Sequence, residues 1–295
     1  MTQDRTGLLA LYASALLLAL NGLFAKLIPL DATSMTQLRS VVAALGLLGF
    51  CLLGKRHWRL GCIRQYFAVY GLGLLLGLHW ITFFHAMQIS TVAVGMLALF
   101  SYPVITILIE PFFARTRLQA GDLIAGCLVV LGLAVMVWEE LQLAANSDMV
   151  MGCVWGVISA LLFSLRNLTM KYRFHHIASD RLMLHQVIAI AFLLLLFVDV
   201  SAVKEMKLSD WSLLVTLGLI TTAAAHTLLA FSLKKLPAKT VAIIGCSQPV
   251  IGAIAAWLVV SEQPGWSVVI GGAIILSVAI YETLSKTRRQ ISRLA

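Results

Sequence analysis

The sequence predicts an all-α integral membrane protein with about ten transmembrane helices. Of its 295 residues, 60% are hydrophobic and only 12% are charged, and the mean hydropathy is +0.94, whereas soluble domains carry roughly 25% charged residues. The apolar residues form runs of about twenty, long enough for a helix to cross a hydrocarbon layer of ~30 Å. Strands of a membrane barrel would be about half as long and would alternate apolar with polar residues, which these runs do not.

The apolar runs define ten spans that fill most of the chain. Their approximate bounds are 7–28, 35–54, 66–86, 92–113, 120–138, 150–170, 182–199, 210–232, 238–260 and 266–285. The longest loop runs from about Glu139 to Met149, so no loop could fold as a separate domain, and we expect no enzyme outside the membrane. The five cysteines are scattered without metal-ligand spacing, so we expect neither a metal site nor a cofactor.

Basic residues are distributed unevenly between the loops. If the N-terminus is cytoplasmic and the chain crosses ten times, 17 of the 22 Lys and Arg residues fall on the cytoplasmic side, and Lys204 and Lys207 fall outside. This asymmetry predicts a multi-pass protein of the cytoplasmic (inner) membrane with both termini in the cytoplasm. Topology then explains the net charge of +9, and a nucleic-acid partner is not expected.

Residues 1–144 and 145–295 are predicted to be two related five-helix repeats. Similar residues recur in the same order at an offset of 145 to 147, and the pairs are Lys26 with Lys171, Arg39 with His185, His79 with His226, and Ser101–Ile105 with Ser247–Ile251. Because five helices is an odd number, the second copy would lie inverted in the membrane. Inverted repeats are typical of secondary transporters, whose halves move about a site near the midplane.

Three segments carry a family resemblance: His79 to Pro111, its counterpart His226 to Glu262, and Arg39 followed by two valines and two alanines. With these segments the chain resembles the drug/metabolite transporter superfamily in its EamA-type ten-helix branch. The resemblance implies ten helices around a central cavity and the export or exchange of amino acids, other small metabolites or drugs. The chain departs from the family at 115–117, where basic residues replace the acid found after span 9 as Glu262.

The repeated Ser-x-Pro segments are the first candidate site residues. Pro103 and Pro249 lack an N–H, so the carbonyls of Leu99 and Gly245 lose their helical partner. Each proline predicts either a kink that lines a substrate site or a plain packing kink. The candidates in these segments are Ser101, Tyr102, Pro103, Ser247, Gln248 and Pro249; we expect Tyr102 and Gln248 to hydrogen-bond a substrate.

The second group of candidates is polar or aromatic residues within other spans, and a buried ionisable residue in a membrane points to function. His79 and His226 could couple transport to protons or remain neutral and hydrogen-bonded to a neighbouring helix. Arg39, near Asn21, could pair with a substrate carboxylate, and Trp80 could stack on an aromatic ligand or face lipid. Glu110 and Arg166 are read as interfacial anchors, with a proton relay as the alternative for Glu110.

Together these patterns predict a secondary transporter of small metabolites, an amino-acid or metabolite exporter that works by alternating access. A multidrug or nucleotide-like metabolite carrier and a non-transporting membrane subunit remain alternatives. The sequence has no P-loop, so ATP is not expected to drive transport directly, and protons remain a candidate coupling ion. An enzyme is not expected, because the spans lack the motifs of metalloproteases and serine hydrolases. The expected partners are a small-molecule substrate and the lipid bilayer.

Overall fold

All regular secondary structure in the described part of the chain is helical. The computed structural model describes residues 3–21, 24, 27–90, 92–136, 138, 147–252, 254 and 265–294. Its helices are α1 Gln3–Leu18, α2 Ala32–Leu53, α3 Ile63–Ile89, α4 Val92–Leu99, α5 Tyr102–Ala114, α6 Ala120–Met136, α7 Ser147–Arg173, α8 Ser179–Leu193, a 3-10 turn Leu195–Phe197, α9 Val200–Glu205, α10 Leu208–Thr216, a π-helix Leu217–Ala224, α11 Ala225–Lys235, α12 Ala238–Gly245 and α13 Trp266–Leu294.

The lengths and apolar surfaces of these helices confirm the prediction of an all-α membrane protein. Five helical stretches are long and apolar enough to cross a membrane: Ala32–Leu53, Ile63–Ile89, Val94–Ala114, Asp148–Arg173 and Leu208–Lys235. Shorter apolar helices cover Arg5–Leu18, Ala120–Met136 and Trp266–Glu282. Large apolar side chains such as Phe67, Phe112 and Leu196 are exposed on the surface of the bundle, where lipid would cover them.

Some predicted span boundaries differ from the observed helices. The seventh span was predicted to continue to residue 199, but α8 ends at Leu193 and the chain turns through Leu195–Phe197. The Asp199 carboxylate then accepts hydrogen bonds from the N–H groups of Ser201 and Ala202 and so starts α9. An unbroken apolar run hides this end because leucine gives no stop signal. Parts of predicted spans 1, 5 and 9 (22–23, 25–26, 137, 253 and 255–260) lie outside the described residues, and so do Lys26 and Glu262.

Both proline-containing spans are interrupted where the sequence predicts a kink. Helix α4 ends at Leu99 and α12 ends at Gly245, the residues whose carbonyls the prolines release. At each break a serine hydroxyl donates to the carbonyl three residues earlier, Ser101 Oγ to Ala98 O at 2.7 Å and Ser247 Oγ to Ile244 O at 2.8 Å. The two breaks therefore share one local structure, 146 residues apart in the sequence.

Glycines at helical spacing bring neighbouring helices close together. A Cβ atom added at Gly73 would lie 2.8 Å from the Gln186 carbonyl oxygen of α8, and one added at Gly156 would lie 2.4 Å from the Ala98 Cβ atom. Gly77 faces Ile190 in the same way. These contacts match the small-residue packing expected between membrane helices.

The loops predicted to be cytoplasmic meet at one end of the bundle. Arg56 forms an ion pair with Asp180 at 3.1 Å, and the Lys171 ammonium donates to the Leu233 carbonyl at 3.0 Å. Lys239 forms an ion pair with Asp122. These contacts join the loops after spans 2, 4, 6 and 8. If every span crosses the membrane once, these four loops must lie on the same side. That this end faces the cytoplasm stays a prediction.

Candidate functional site

A small polar cavity lies inside the bundle, between residues of both predicted repeats. Its volume is about 40 Å³. The residues that line it are Leu18, Asn21, Arg39, His79, Trp80, Phe83, Phe84, Met96, Leu99, Phe100, Tyr102, Phe163, His226 and Gln248. Both predicted repeats contribute to the lining, so a relative movement of the repeats would change the shape of the cavity. The contributing elements are α1, α2, α3, the α4–α5 break, α7, α11 and the break after α12.

The structure brings seven of the eleven predicted site residues into this cavity. These are Asn21, Arg39, His79, Trp80, Tyr102, His226 and Gln248. The other four lie at the helix breaks instead of in the lining: Ser101, Pro103, Ser247 and Pro249. They therefore shape the backbone beside the cavity, whereas the seven present their side chains to it.

Among the described residues that line the cavity, Arg39 carries a permanent charge, and it is 0% exposed. Its Nε donates to Thr222 Oγ1 at 2.8 Å, and its Nη2 donates to Asn21 Oδ1 at 3.4 Å. The guanidinium lies 4.5 Å from the ring centre of Trp80 and 5.4 Å from that of Phe84. Its Nη1 has no hydrogen-bond partner among the described residues, so the cation keeps free donor capacity in a dry interior.

A π-helix holds the partners of Arg39 in place. The segment Leu217–Ala224 carries Thr221, which donates to Asn21 Oδ1 at 2.9 Å, and Thr222, which accepts from Arg39. Gly218 in the same segment lets the backbones approach, because an added Cβ atom would lie 2.6 Å from Val42 and 3.1 Å from the Arg39 carbonyl oxygen. Segments of π-helix are rare and occur often at functional sites.

The two histidines of the cavity differ in their partners. His79 Nδ1 lies 2.7 Å from Ser159 Oγ, and that hydroxyl donates to the His79 carbonyl at 2.8 Å. The serine oxygen therefore accepts from Nδ1–H, which leaves Nε2 of a neutral ring as an acceptor. The His226 ring packs edge-on against Trp80 with centroids 5.1 Å apart, and its buried Nδ1 lacks a partner in the described part of the chain.

Tyr102 connects the two helix breaks across the cavity. Its hydroxyl donates to the Ala242 carbonyl of α12 at 2.9 Å, and its own carbonyl accepts from Ser164 Oγ of α7 at 3.1 Å. A Cβ atom at Gly245 would lie 2.4 Å from the tyrosine oxygen, so only glycine leaves room for this contact. The phenol oxygen keeps a lone pair for a ligand, whereas its proton is already engaged.

An aromatic wall around Arg39 was not predicted from the sequence. Phe83, Phe84, Phe100 and Phe163 line the cavity with Trp80, and the Phe163 ring stacks on His79 with centroids 4.6 Å apart. The lipid-facing alternative for Trp80 is wrong, because the side chain is 2% exposed. Helical spacing from Trp80 to Phe83 and Phe84 was the available signal, but the same spacing also fits a lipid-facing stripe.

Arg166 and Glu110 are buried, so their interpretation as interfacial anchors is wrong. Arg166 is 0% exposed and donates to Gln186 Oε1 at 2.8 Å and to Asn167 Oδ1 at 3.0 Å. Glu110 accepts from the Tyr172 hydroxyl at 2.7 Å and from the N–H groups of Ala238 and Lys239, each at 3.0 Å. It borders a second cavity of about 210 Å³, at the end of the bundle predicted to be cytoplasmic.

A polar cavity between matching halves of a helical membrane bundle, next to interrupted helices, is characteristic of secondary transporters. The model of the EamA-like transporter family matches residues 5–138 and 150–281. The chain therefore belongs to the EamA-like transporter family, as the sequence resemblance predicted, and it is a multi-pass membrane transporter.

Relatives and a solved structure agree with this assignment. An uncharacterized transporter of Bacillus subtilis, YxxF, is 22% identical over 254 residues, which cover 85% of this chain and 81% of the relative. An uncharacterized transporter of Archaeoglobus fulgidus is 24% identical over 274 residues, covering 92% and 94%. One crystal structure superposes with a TM-score of 0.79 at 17% identity over 96% of this chain and 98% of the other, which supports the fold alone.

Proposed function

We propose that the protein exports amino acids and related small carboxylic acids across the cytoplasmic membrane, as a secondary transporter with its binding site in the Arg39 cavity. The observation that carries this proposal is the buried guanidinium of Arg39, which lines the cavity and whose Nη1 has no hydrogen-bond partner among the described residues. A planar guanidinium matches the geometry of a carboxylate and binds it with two parallel hydrogen bonds. Most buried donors in native proteins have a hydrogen-bond partner, so an unpaired N–H on a buried cation beside a cavity favours a ligand there.

Transport through this site requires the helices to move. A volume of about 40 Å³ is close to that of a single water molecule in the liquid, about 30 Å³, so a metabolite enters only when the cavity widens. The breaks after Leu99 and Gly245 are where we expect the backbone to bend, because Pro103 and Pro249 cannot donate an N–H to the carbonyls of these two residues. We propose that the repeats move about these two breaks, opening the cavity to one side at a time.

Proton coupling, if transport uses it, would involve His226 more directly than His79. The Nδ1 atom of His79 is engaged by Ser159, whereas that of His226 has no partner in the described chain and is close to Trp80. Without a contact at Nδ1 the His226 ring is free to turn when it gains a proton, whereas the contact with Ser159 fixes the orientation of the His79 ring. We expect the substitution His226→Gln to flatten the pH dependence of transport and His79→Gln to leave the pH profile in place.

The test of the proposed function is exchange in proteoliposomes made from the purified chain. The vesicles are loaded with a pool of unlabelled amino acids and carboxylic acids, and uptake of labelled members is measured with and without a pH gradient. We expect saturable exchange of at least one compound by the wild type. The substitution Arg39→Gln should abolish it, whereas Arg56→Gln, a matched change at an exposed arginine, should not. Equal exchange by all three proteins would contradict the proposed site.

A further inference from the structure

The charge balance around the cavity indicates which substrates it selects, given that the proposed function holds. Arg39, which lines the cavity, and Arg166, three residues after the lining residue Phe163 on α7, are both 0% exposed. No acidic side chain lines the cavity in the part of the chain that the structure describes. Two buried cations without an acidic side chain in the described cavity lining are costly in a low-dielectric interior, and an anionic ligand would reduce that cost.

The two arginines are held by neutral partners in a repeated arrangement. At an offset of 145 residues Asn21 stands opposite Arg166, and Gln186 follows directly after His185, the residue paired with Arg39. Each half thus pairs an arginine with an amide, Arg39 with Asn21 at 3.4 Å and Arg166 with Gln186 at 2.8 Å. In the first half the amide precedes the arginine in the sequence, and in the second half it follows. Amide oxygens satisfy donors but do not neutralise the charge.

The contacts of the two guanidiniums separate their roles. Arg166 uses Nε and Nη1 for Gln186 and Asn167, and its Nη2 lies 3.8 Å from the sulfur of Met183. Arg39 instead has an Nη1 without a partner among the described residues and lines the cavity. A ligand carboxylate would therefore bind Arg39, and Arg166 would add long-range positive potential.

Among the described residues that line this cavity, no negatively charged group could pair with the ammonium group of a ligand. The aromatic faces that could attract it are those of Trp80 and Phe84, and the guanidinium of Arg39 already lies over both, at 4.5 and 5.4 Å. In an α-amino acid the ammonium is fixed within a few ångströms of the carboxylate. A carboxylate bound to Arg39 would thus place the ammonium against a like charge.

We propose that the cavity selects small organic anions, carboxylates with a flat apolar body, over zwitterions or cations of the same shape. The carboxylate binds Arg39, and the apolar body lies against the phenylalanine rings of the lining. The amide N–H₂ of Gln248 can donate to the carboxylate and orient it without adding charge. Amino acids with a free α-ammonium are then weaker substrates than the corresponding acids.

The test uses three ligands that differ in charge and share a phenyl ring with a chain of similar length. They are 3-phenylpropanoate, phenylalanine and 2-phenylethylamine, which are an anion, a zwitterion and a cation near neutral pH. Equilibrium binding of each labelled compound to the purified wild type in detergent avoids passive membrane leakage. We expect the anion to bind about tenfold more tightly than the zwitterion, because a like-charge contact is avoided, and the cation to bind most weakly.

The order of affinities of the wild type for the three ligands tests the charge selection by itself. Variants then identify the residue that causes the selection. Arg39→Gln should remove the preference for the anion, Arg39→Lys should retain part of it, and Arg56→Gln should behave as wild type. Equal or tighter binding of phenylalanine overturns the charge selection while leaving the transporter function intact. Binding of none of the three also overturns it, and exchange of the wider substrate panel in proteoliposomes then decides the proposed function separately.

Discussion

The substitution Glu110→Gln tests whether Glu110 keeps one end of the bundle closed, the end predicted to be cytoplasmic. Glu110 does not line the Arg39 cavity, so the substitution leaves the proposed binding site unchanged. Glu110 belongs to α5 in the first repeat, and its carboxylate accepts from Ala238 and Lys239 at the start of α12 in the second, besides Tyr172. Glutamine preserves the volume but offers one acceptor oxygen where the carboxylate offers two. At least one buried donor therefore loses its partner and meets an amide N–H₂ group.

The expected magnitude follows from these contacts. A hydrogen bond to a charged group contributes about 1.5–3 kcal/mol, and a carboxylate at a helix N-terminus adds about 0.3–1 kcal/mol. The variant should weaken the closed conformation of this end by about 2 kcal/mol, which corresponds to a roughly 30-fold shift of the opening equilibrium.

The native cysteines provide the assay. Cys246 is buried beside the cavity, and Cys62 is exposed in a loop, so alkylation of Cys246 relative to Cys62, measured by mass spectrometry, reports opening. We expect the ratio to rise by up to ~30-fold in Glu110→Gln, when opening is fast relative to alkylation. Glu205→Gln, at an exposed acid, is the control. An unchanged ratio in a folded Glu110→Gln protein would refute the role of Glu110 in closing this end.

Two further predictions concern the helix breaks. Gly245→Ala places a methyl group 2.4 Å from the Tyr102 oxygen, so it should displace the phenol and slow exchange at least about tenfold; Gly71→Ala, which meets no atom within 4 Å, is the control, and equal rates would contradict the contact. Ser101→Ala and Ser247→Ala each remove the hydroxyl that donates to the carbonyl of Ala98 or Ile244 at a break, so each should lower the free energy of unfolding by about 1 kcal/mol. Thermal unfolding in detergent measures both serine variants, and a large loss in one with none in the other would argue against equivalent breaks.

The repeated features of the fold could be predicted because they leave a pattern at a fixed offset. The two Ser-x-Pro segments predicted a kink in spans 4 and 9. In the structure α4 ends at Leu99 and α12 ends at Gly245. The lengths of the apolar runs similarly identified helices in each predicted span. Boundaries were less certain, and the end of α8 at Leu193 has no marker in a run of leucines.

The cavity could be predicted only in part, because lipid and protein interior are equally apolar. Trp80 fits either surface by sequence, and only the packed structure places it over Arg39. Arg166 lies near a predicted interface, yet its partners Gln186 and Asn167 keep it fully buried. Glu110 pairs with residues more than a hundred positions away, a contact without any local signature. The π-helix that carries Thr222 also has no local sequence signature.

The central claim is that the Arg39 cavity is the substrate site of an exchanging carrier. The most direct measurement is the initial rate of uptake of one transported carboxylate into proteoliposomes, with and without the same unlabelled compound inside. The account predicts that internal substrate accelerates uptake by the wild type and by Arg56→Gln, and that Arg39→Gln shows neither uptake nor acceleration. Uptake that is unaffected by internal substrate, or acceleration that persists in Arg39→Gln, would contradict the account.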